Sequence, residues 1–304
     1  MIAFFPGQGS QHVGMGRAFF NEFALARHMF EEASDTLGIN IADLAFEGPE
    51  DLLTRTDNAQ PCILTVSSIA WAIAQAEYGI QPTLVAGHSL GEYSALVAAG
   101  ALSFSDAIRF VRARGEAMNA SSYGGMIAVI GLEDTLVEKA CQHVHHDVRP
   151  ANFNAASQVV VAGSDEALLL FEAHMKANHP QARLVRLAVS APFHCHLMKE
   201  ARASMQKIFS QAPAPKPLSC PIIPNATARL MQEPSAIYPL LLEQIDHPVL
   251  WRQSMELCVS KNPLRVFEFG PGKVLTGLWK RATKNIPIYS IGTPEDLAAI
   301  GKAT

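Results

Sequence analysis

A serine between two glycines is a feature of the chain that could do chemistry. Ser89 lies in GHSLG, after the short apolar run TLVAG and before the alanine-rich segment EYSALVAAGAL. These neighbours predict a strand, a sharp turn and a helix. In such a nucleophile elbow the flanking glycines leave room for strained backbone, and the hydroxyl stands at the helix N-terminus. Because the same sequence also occurs in ordinary turns, the choice between a nucleophile and a small turn residue depends on the partners of the serine.

A serine nucleophile needs a general base, and the chain has eleven histidines. A hydroxyl is a poor nucleophile at neutral pH unless a positioned base takes its proton. His88 is adjacent to the serine, but adjacent residues on such a turn usually point apart. His194, in SAPFHCHLM, follows a predicted strand at the seam between two predicted domains, and His196 is its rival two residues later. The sequence favours His194 over His196 and leaves both open.

A glycine-rich segment near the N-terminus could stabilise an oxyanion. FPGQGSQ directly follows the apolar residues 2–5. A loop there exposes backbone N–H groups, and the amide of Leu90 at the elbow could be a second donor. The alternatives are a plain turn and a phosphate-binding loop. Since the segment lacks the lysine of a P-loop and the spacing of Gly-x-Gly-x-x-Gly, nucleotide binding is not expected.

Arg114 is the candidate for binding a substrate carboxylate. It lies in FVRARGEAMNA, a predicted helix whose apolar residues place part of it in the core. An arginine in the core must find an acceptor. A structural ion pair is one explanation, and a guanidinium that binds a carboxylate through two hydrogen bonds is the other.

The composition indicates a compact globular protein. The chain has 304 residues, of which 49% are hydrophobic and 17% charged, and its formal net charge is -4. This balance gives no support to nucleic-acid binding. The N-terminal MIAFFPGQGSQ has neither the basic start of a signal peptide nor the length of a membrane span. We therefore expect a cytoplasmic protein with neither a nucleic-acid nor a membrane partner.

The cysteines and a histidine-rich segment do not predict a metal site. The five cysteines are scattered and contain no Cys-x-x-Cys pair, so neither a disulfide framework nor a zinc site follows. HVHH, at residues 143–146, could suggest a metal. No Cys, Asp or Glu lies at a spacing typical of such sites, and Asp147 is simply the next residue. We interpret HVHH as a solvated helix end followed by a loop.

The order of predicted elements indicates an α/β protein with an inserted domain. Residues 1–121 and 193–304 alternate strands and helices in the manner of a parallel sheet with helices on its faces. Residues 122–192 have the order β-α-β-β-α-β of a ferredoxin-like domain. The predicted strands of this domain are 125–131, 148–153, 158–164 and 182–190, and a long helix of the larger domain is predicted over 62–78. Ligands of open α/β sheets lie at the carboxyl ends of the strands, so we expect a cleft there, beside the inserted domain.

Six ordered motifs span nearly the whole chain. They are FPGQGSQ, GHSLGEYSALVAAGALS, VRARGEAM, NFNAASQVVVAGS, SAPFHCHLM and FEFGPGKVLTGLWKR. With them the chain resembles the malonyl-CoA:acyl carrier protein transacylases, a family that includes acyltransferases of polyketide synthesis. The resemblance implies an α/β-hydrolase-like large domain with a ferredoxin-like insertion. It also implies that malonyl passes from coenzyme A to a serine ester and then to the phosphopantetheine thiol of an acyl carrier protein, with no metal or bound cofactor. We expect a monomer.

The resemblance assigns the catalytic roles motif by motif. Ser89 would be the nucleophile and His194 the general base and acid. A main-chain carbonyl, that of Gln244, would orient the histidine in place of an acidic side chain. The backbone amides of Gln8 and Leu90 would form the oxyanion hole.

The resemblance also assigns residues that bind the substrate. Arg114 would pair with the malonyl carboxylate, and GPGKVLTGL would form a wall of the cleft. Asn154 and Asn225, with Asn152 as a further candidate, would line the cleft with side-chain amides. The chain departs from the family pattern at Asn119, where relatives often have glutamine, and this affects only the expected rim of the cleft.

Two other functions are compatible with parts of this pattern. A thioester hydrolase acting on acyl carrier protein would use the same Ser89 and His194, with water as the final acceptor. A non-catalytic docking module would predict a damaged serine or histidine motif, and both motifs are intact.

Because carrier proteins are acidic, basic residues near the cleft should favour docking. The candidates are Arg183, Arg186, Lys199, Lys280, Arg281 and Lys284.

Overall fold

The computed structural model describes residues 1–120, 123–189 and 191–301, whose strands form two separate sheets. In chain order the strands are β1 (Ile2–Phe5), β2 (Leu84–Gly87), β3 (Gly125–Ile130), β4 (Arg149–Ala155), β5 (Gln158–Gly163), β6 (Arg183–Arg186), β7 (Ile222–Ile223), β8 (Val266–Phe269) and β9 (Ile288–Ile291). The larger sheet has the order β7-β2-β1-β8-β9, and the smaller sheet has the order β4-β5-β3-β6.

Helices cover both sheets. They are α1 (Arg17–Glu22), α2 (Ala24–Leu37), α3 (Ile41–Glu47), α4 (Glu50–Thr54), α5 (Thr56–Tyr78), α6 (Gly91–Ala98), α7 (Phe104–Ala120), α8 (Asp134–Val144), α9 (Asp165–Asn178), α10 (Lys199–Phe209), α11 (Ile237–Asp246), α12 (Trp251–Ser260), α13 (Val274–Ala282) and α14 (Ala298–Gly301). Short 3-10 helices lie at His196–Met198, Pro234–Ala236 and Pro294–Leu297. Among the residues that the structure describes, no helix combines the length and the apolar character needed to cross a bilayer.

The larger sheet is parallel throughout and is buried on both faces. Its strands pair in parallel, with β1 between β2 and β8. Alternate residues of β1 enter two different cores: Ala3 and Phe5 pack on one face, and Ile2 and Phe4 on the other. This explains why the strand is a continuous apolar run. The carboxyl ends of β1 and β2 are in register, since Phe5 pairs with Gly87, so the loops that follow them meet at one edge.

The smaller sheet has the predicted β-α-β-β-α-β order and is antiparallel. Together the two sheets confirm the predicted fold class. The last strand, β6, ends at Arg186, earlier than predicted, because this edge strand pairs only with β3 and its backbone then leaves the sheet toward the cleft. Two boundary predictions, the domain start at Ser122 and the strand end at Ser190, fall outside the described residues.

Helix α5 begins six residues before the predicted helix and includes Pro61. A proline inside a helix lacks the N–H that would bond to the carbonyl four residues earlier. The carbonyl in question belongs to Asp57, and it accepts a hydrogen bond from the Arg112 guanidinium at 3.1 Å instead. The helix therefore continues through the proline because a side chain from α7 replaces the missing donor.

Main-chain hydrogen bonds connect the smaller sheet to the larger domain beside the cleft. The amide of Phe153 in β4 donates to the carbonyl of Val249 at 2.9 Å, and the amide of Val249 donates back to the carbonyl of Ala151 at 2.9 Å. The next residue, Leu250, donates to the carbonyl of Asn225. These bonds fix β4 against the loop after β7, so side chains from both sheets face one space.

Two glycines allow α6 to begin directly against the larger sheet. A Cβ atom on Gly87 would lie 1.9 Å from the carbonyl carbon of Gly91, and one on Gly91 would lie 2.0 Å from the carbonyl oxygen of Phe5. Neither contact is sterically allowed, since both involve backbone atoms. The sharp turn between β2 and α6 therefore requires glycine at both positions.

We predict that Gly91→Ala lowers the free energy of unfolding by about 3 kcal/mol or more, because overpacking against backbone cannot be relieved by a side-chain rotation. The matched control is Gly277→Ala in α13, where an added Cβ meets nothing within 4 Å and should be neutral or stabilising by up to about 1 kcal/mol. Urea unfolding measures both variants. Equal stability of Gly91→Ala and the unchanged protein would contradict this account of the turn.

Candidate active site

Ser89 occupies the turn between β2 and α6 in a strained conformation. Its φ is 51°, a left-handed value that is uncommon for a residue other than glycine and that clusters at functional sites. The strain directs the side chain into the space between the two sheets. There the Oγ of Ser89 lies 2.7 Å from the Nε2 of His194.

His194 also has a left-handed backbone, with φ 59°, and its side chain is buried. Its Nδ1 lies 2.7 Å from the main-chain oxygen of Gln244. A carbonyl oxygen only accepts hydrogen bonds, so Nδ1 carries the proton and Nε2 is left to accept one from Ser89. This tautomer is the one that a general base requires.

The ring nitrogens of the two other candidate histidines lie beside other partners. The Nε2 of His196 is 3.2 Å from the carboxylate of Asp147, and its ring lines a second cavity. The Nε2 of His88 is 2.7 Å from the side-chain oxygen of Asn154. The structure therefore places only His194, of these three, in contact with the Ser89 hydroxyl.

Arg114 reaches the serine from α7 as a fully buried guanidinium, 1% exposed. Its Nη2 donates to the Oγ of Ser89 at 3.1 Å and to the Oε1 of Gln244 at 2.8 Å, and its Nη1 donates to the Oε1 of Gln60 at 2.9 Å. No acidic side chain forms an ion pair with it among residues 1–120, 123–189 and 191–301. The first explanation offered by the sequence, a structural ion pair of Arg114, therefore does not hold for the described residues. The guanidinium keeps its charge available to a ligand.

The glycine-rich loop after β1 lies against the elbow. A Cβ on Gly7 would be 2.4 Å from the carbonyl oxygen of His88. The backbone amides of Gln8 and Leu90 form no hydrogen bond with any residue in the described part of the chain, and both residues line the cavity that contains Ser89. Two unpaired N–H groups beside a serine are the arrangement that can stabilise an oxyanion.

Asn225 corrects a prediction. It was expected to line the cleft, but it is fully buried beneath the turn. Its Oδ1 accepts from the backbone amide of Ser89 at 2.6 Å, and its Nδ2 donates to the carbonyl of Gly87 at 2.6 Å. Both polar ends of the side chain bond to the elbow, and the residue does not line the serine cavity. Asn225 supports the strained turn.

The other two asparagines do line the cavity, which has a volume of about 590 Å³. Asn152 and Asn154 face it from β4. Glu268 fixes the opposite wall, because its carboxylate accepts the amides of Leu275 at 2.9 Å and Thr276 at 2.7 Å in the first turn of α13. The remaining lining includes apolar side chains of Met118, Met126, Val160, Leu187, Val189 and Phe193 and the cations Lys273 and Arg281.

Two further buried polar residues of the site, Gln60 and Glu92, were not predicted from the sequence. Gln60 is buried in α5 and is one of the three acceptors of Arg114. Glu92 is buried in α6 and accepts from the side chain of Gln244 at 2.9 Å. Both are polar residues inside apolar helical segments, and this unexplained burial of a polar group was the signal that could have revealed them.

The histidine-rich loop lies outside the serine cavity. Ligand atoms of His145, His146 and Asp147 are within 4.8 Å of one another, closer than the sequence spacing suggested. The rings of His145 and His146 are stacked, with 29° between their planes. Both rings line the second cavity together with His196.

The surroundings of His194 favour its neutral form. Burial is the main cause, the positive charge of Arg114 is the second, and together they lower the pKa of His194 to about 3. The hydrogen bond to Gln244 acts in the opposite direction. The neutral form therefore dominates at neutral pH, so the lone pair of Nε2 is free to accept the hydrogen bond of the Ser89 hydroxyl.

We predict that the ring of His194 stays neutral from about pH 5 to pH 8, the range in which an unperturbed histidine titrates, and becomes protonated only toward its pKa of about 3. NMR of protein labelled in the histidine rings measures this, and His194→Gln identifies the signal. A midpoint near the ordinary value of about 6.5 would contradict the described environment.

Comparisons with known proteins agree with this geometry. The acyl transferase domain family matches residues 4–292. The malonyl CoA-acyl carrier protein transacylase of Salmonella typhimurium is 40% identical over 97% of this chain and 96% of its own length. A polyketide biosynthesis malonyl CoA-acyl carrier protein transacylase of Bacillus velezensis is 38% identical over 91% of this chain and 94% of its own length. A solved malonyl-transacylase, in complex with a type II polyketide synthase acyl-carrier protein, has a TM-score of 0.95, is 36% identical and covers 100% of this chain and 99% of its own.

Proposed function

The chain belongs to the acyl transferase domain family, and we propose from that membership and the site geometry that it is a malonyl-CoA:acyl carrier protein S-malonyltransferase. The observation that carries the proposal is a buried guanidinium, 3.1 Å from the hydroxyl of Ser89, that forms no ion pair within the described part of the chain. A dicarboxylic acyl group esterified to that oxygen would place its free carboxylate within reach of Arg114.

The first half of the reaction forms a serine ester. The Nε2 of His194 takes the proton of Ser89, and the Oγ attacks the thioester carbonyl of malonyl-CoA. The amides of Gln8 and Leu90 donate to the resulting oxyanion. When the tetrahedral intermediate collapses, the carbon–sulfur bond breaks, and the coenzyme A sulfur leaves with the proton held by His194.

The second half reverses these steps with a new thiol. The phosphopantetheine thiol of an acyl carrier protein gives its proton to His194, and its sulfur attacks the ester carbonyl. The bond to Ser89 breaks, and the serine oxygen recovers the proton from the imidazole. Every proton and electron pair is accounted for by the two substrates, serine and histidine, so we propose that no metal or organic cofactor takes part.

Basic side chains near the cavity suit an acidic carrier protein. Arg281 lines the serine cavity and Lys199 lines the second cavity. Arg186 is already paired with Glu172 at 2.8 Å, so it offers less free charge than its residue type suggests. Among the candidates from the sequence, we therefore favour the residues of α13 and the segment after it, Lys280, Arg281 and Lys284, for carrier docking.

We predict that brief exposure to malonyl-CoA adds one malonyl group to the protein, seen by intact-mass measurement, and that Ser89→Ala abolishes this adduct. Ser94→Ala, which removes a buried hydroxyl from α6, the helix that follows the turn, should retain it. Coenzyme A release without carrier protein should stop after one equivalent. Sustained release would instead indicate the thioester hydrolase, and an adduct that persists in Ser89→Ala would contradict the assigned nucleophile.

We predict that Arg114→Ala lowers kcat/KM for malonyl transfer about tenfold to a hundredfold, since a lost hydrogen bond to a charged group costs about 1.5 to 3 kcal/mol. Transfer of acetyl, which has no carboxylate, should be equal or faster. Arg109→Ala, on the same helix but solvent-exposed, is the matched control and should change neither. An equal loss for both acyl groups would refute the role of Arg114.

A further inference from the structure

Glu92 is a buried carboxylate at the start of α6 whose contacts all lead to the reacting groups. It is 2% exposed. Its Oε2 accepts from the side-chain Nε2 of Gln244 at 2.9 Å and from the backbone amide of Asn225 at 2.9 Å. Such burial of an acid is unfavourable unless its hydrogen bonds and charge are compensated. The interactions of these two partners show what the carboxylate supports.

Through Gln244 the carboxylate controls three parts of the site. The Nε2 that Glu92 holds also donates to the main-chain oxygen of Ser89 at 2.9 Å. The Oε1 of the same side chain accepts from Arg114, and the main-chain oxygen of the same residue accepts from His194. Gln244, whose side chain Glu92 holds, therefore connects the nucleophile and the guanidinium through its side-chain amide and the base through its main-chain oxygen.

Through Asn225 the carboxylate supports the strained turn. The backbone amide of Asn225 donates to Glu92, and its side chain bonds to the amide of Ser89 and the carbonyl of Gly87. The left-handed φ of 51° at Ser89 persists only where surrounding contacts enforce it. Glu92 bonds to Asn225, and Asn225 makes the contacts that hold the turn.

Glu92 is also the acid whose charge acts on the guanidinium. The positive charge of Arg114 and the negative charge of Glu92 stabilise each other without direct contact. When His194 takes the proton of Ser89, a second cation appears beside Arg114, and this is unfavourable unless a nearby anion offsets it. The Nδ1 of the histidine itself bonds to a main-chain carbonyl and not to an acidic side chain.

We propose that Glu92 is a positioning residue of acyl transfer, whose carboxylate holds Gln244 and Asn225 in place and balances the buried charge of Arg114. The proposal rests on the proposed function, because it assigns Glu92 to the same reaction. It gives this site, where a main-chain carbonyl orients the histidine, a buried anion that acts through neighbouring amides.

The ionisation of Glu92 supplies a readout that a purely structural role would not give. Burial is the main cause that raises the pKa of Glu92 to about 7, against the effect of its hydrogen bonds and of Arg114. The titratable groups that face it are the charged Arg114 from α7 and, beside it on α6, Tyr93, whose pKa is raised by burial so that its phenol stays neutral, while Gln244 and Asn225 are neutral amides. The carboxylate is therefore charged above about pH 7 and neutral below it, and His194, with a pKa of about 3, does not titrate in this range.

The test is the single-turnover rate of ester formation from saturating malonyl-CoA, measured without carrier protein from about pH 5.5 to pH 8.5, a range that brackets neutrality. The unchanged protein should show a rate that rises with an inflection near pH 7, where Glu92 becomes charged. Glu92→Gln keeps the shape and an oxygen acceptor but has no charge. This variant should form the ester about tenfold more slowly than the unchanged protein at high pH. Its rate should show no inflection and should equal the low rate of the unchanged protein at acid pH.

Two further variants separate positioning from general loss of stability. Asp134→Asn removes another buried carboxylate, one that is paired with Arg252 and does not line the serine cavity, and should keep both the rate and its inflection. Combining Glu92→Gln with Arg114→Ala should reduce the rate by less than the product of the two single effects, because both act through Gln244.

A Glu92→Gln protein with the full rate and the unchanged inflection would overturn the proposal, as would fully additive effects with Arg114→Ala. If Glu92→Gln does not fold, the unchanged protein decides alone: a rate that is flat across this pH range would overturn the proposal. Failure of the proposed function gives a different result, since no serine ester would then form from malonyl-CoA in the unchanged protein at any pH.

Discussion

The arrangement of the active site depends on the guanidinium of Arg114, which is charged and buried away from solvent. A buried charge without an ion pair is costly, and it persists only when hydrogen bonds satisfy it. Here two glutamine oxygens and the serine hydroxyl accept from it. These acceptors come from α5, the elbow and α11, so the requirement of one cation determines how three distant segments meet. A ligand carboxylate would complete the compensation.

The two reacting side chains are both held in left-handed backbone, at φ 51° for Ser89 and 59° for His194. Such conformations are locally unfavourable, and the rest of the molecule supplies the support. The turn is held by glycines that admit no Cβ and by the buried amide of Asn225. The histidine is held by a main-chain oxygen at the C-terminal end of α11. Precision at the site is thus produced by parts of the fold that never touch a substrate.

The sequence predicted those features that local patterns encode. Glycine spacing around Ser89 predicted the elbow, and the strand order predicted both sheets. The long helix α5 was predicted too short, since only the structure shows that Arg112 replaces the donor missing at Pro61. The prediction that Asn225 lines the cleft was wrong, because residue type does not distinguish an amide that faces a ligand from one that supports a turn. Glu92 was missed because its partners, at positions 225 and 244, are far away in the chain.

The most direct measurement is a crystal structure of the protein after reaction with malonyl-CoA. The account predicts a malonyl ester on the Oγ of Ser89 with its free carboxylate at hydrogen-bond distance, about 2.7 to 2.9 Å, from the guanidinium of Arg114. It also predicts the ester oxygen beside the amides of Gln8 and Leu90. An ester whose carboxylate points to solvent, with Arg114 still bound only to protein oxygens, would contradict the claim that this buried charge selects the substrate.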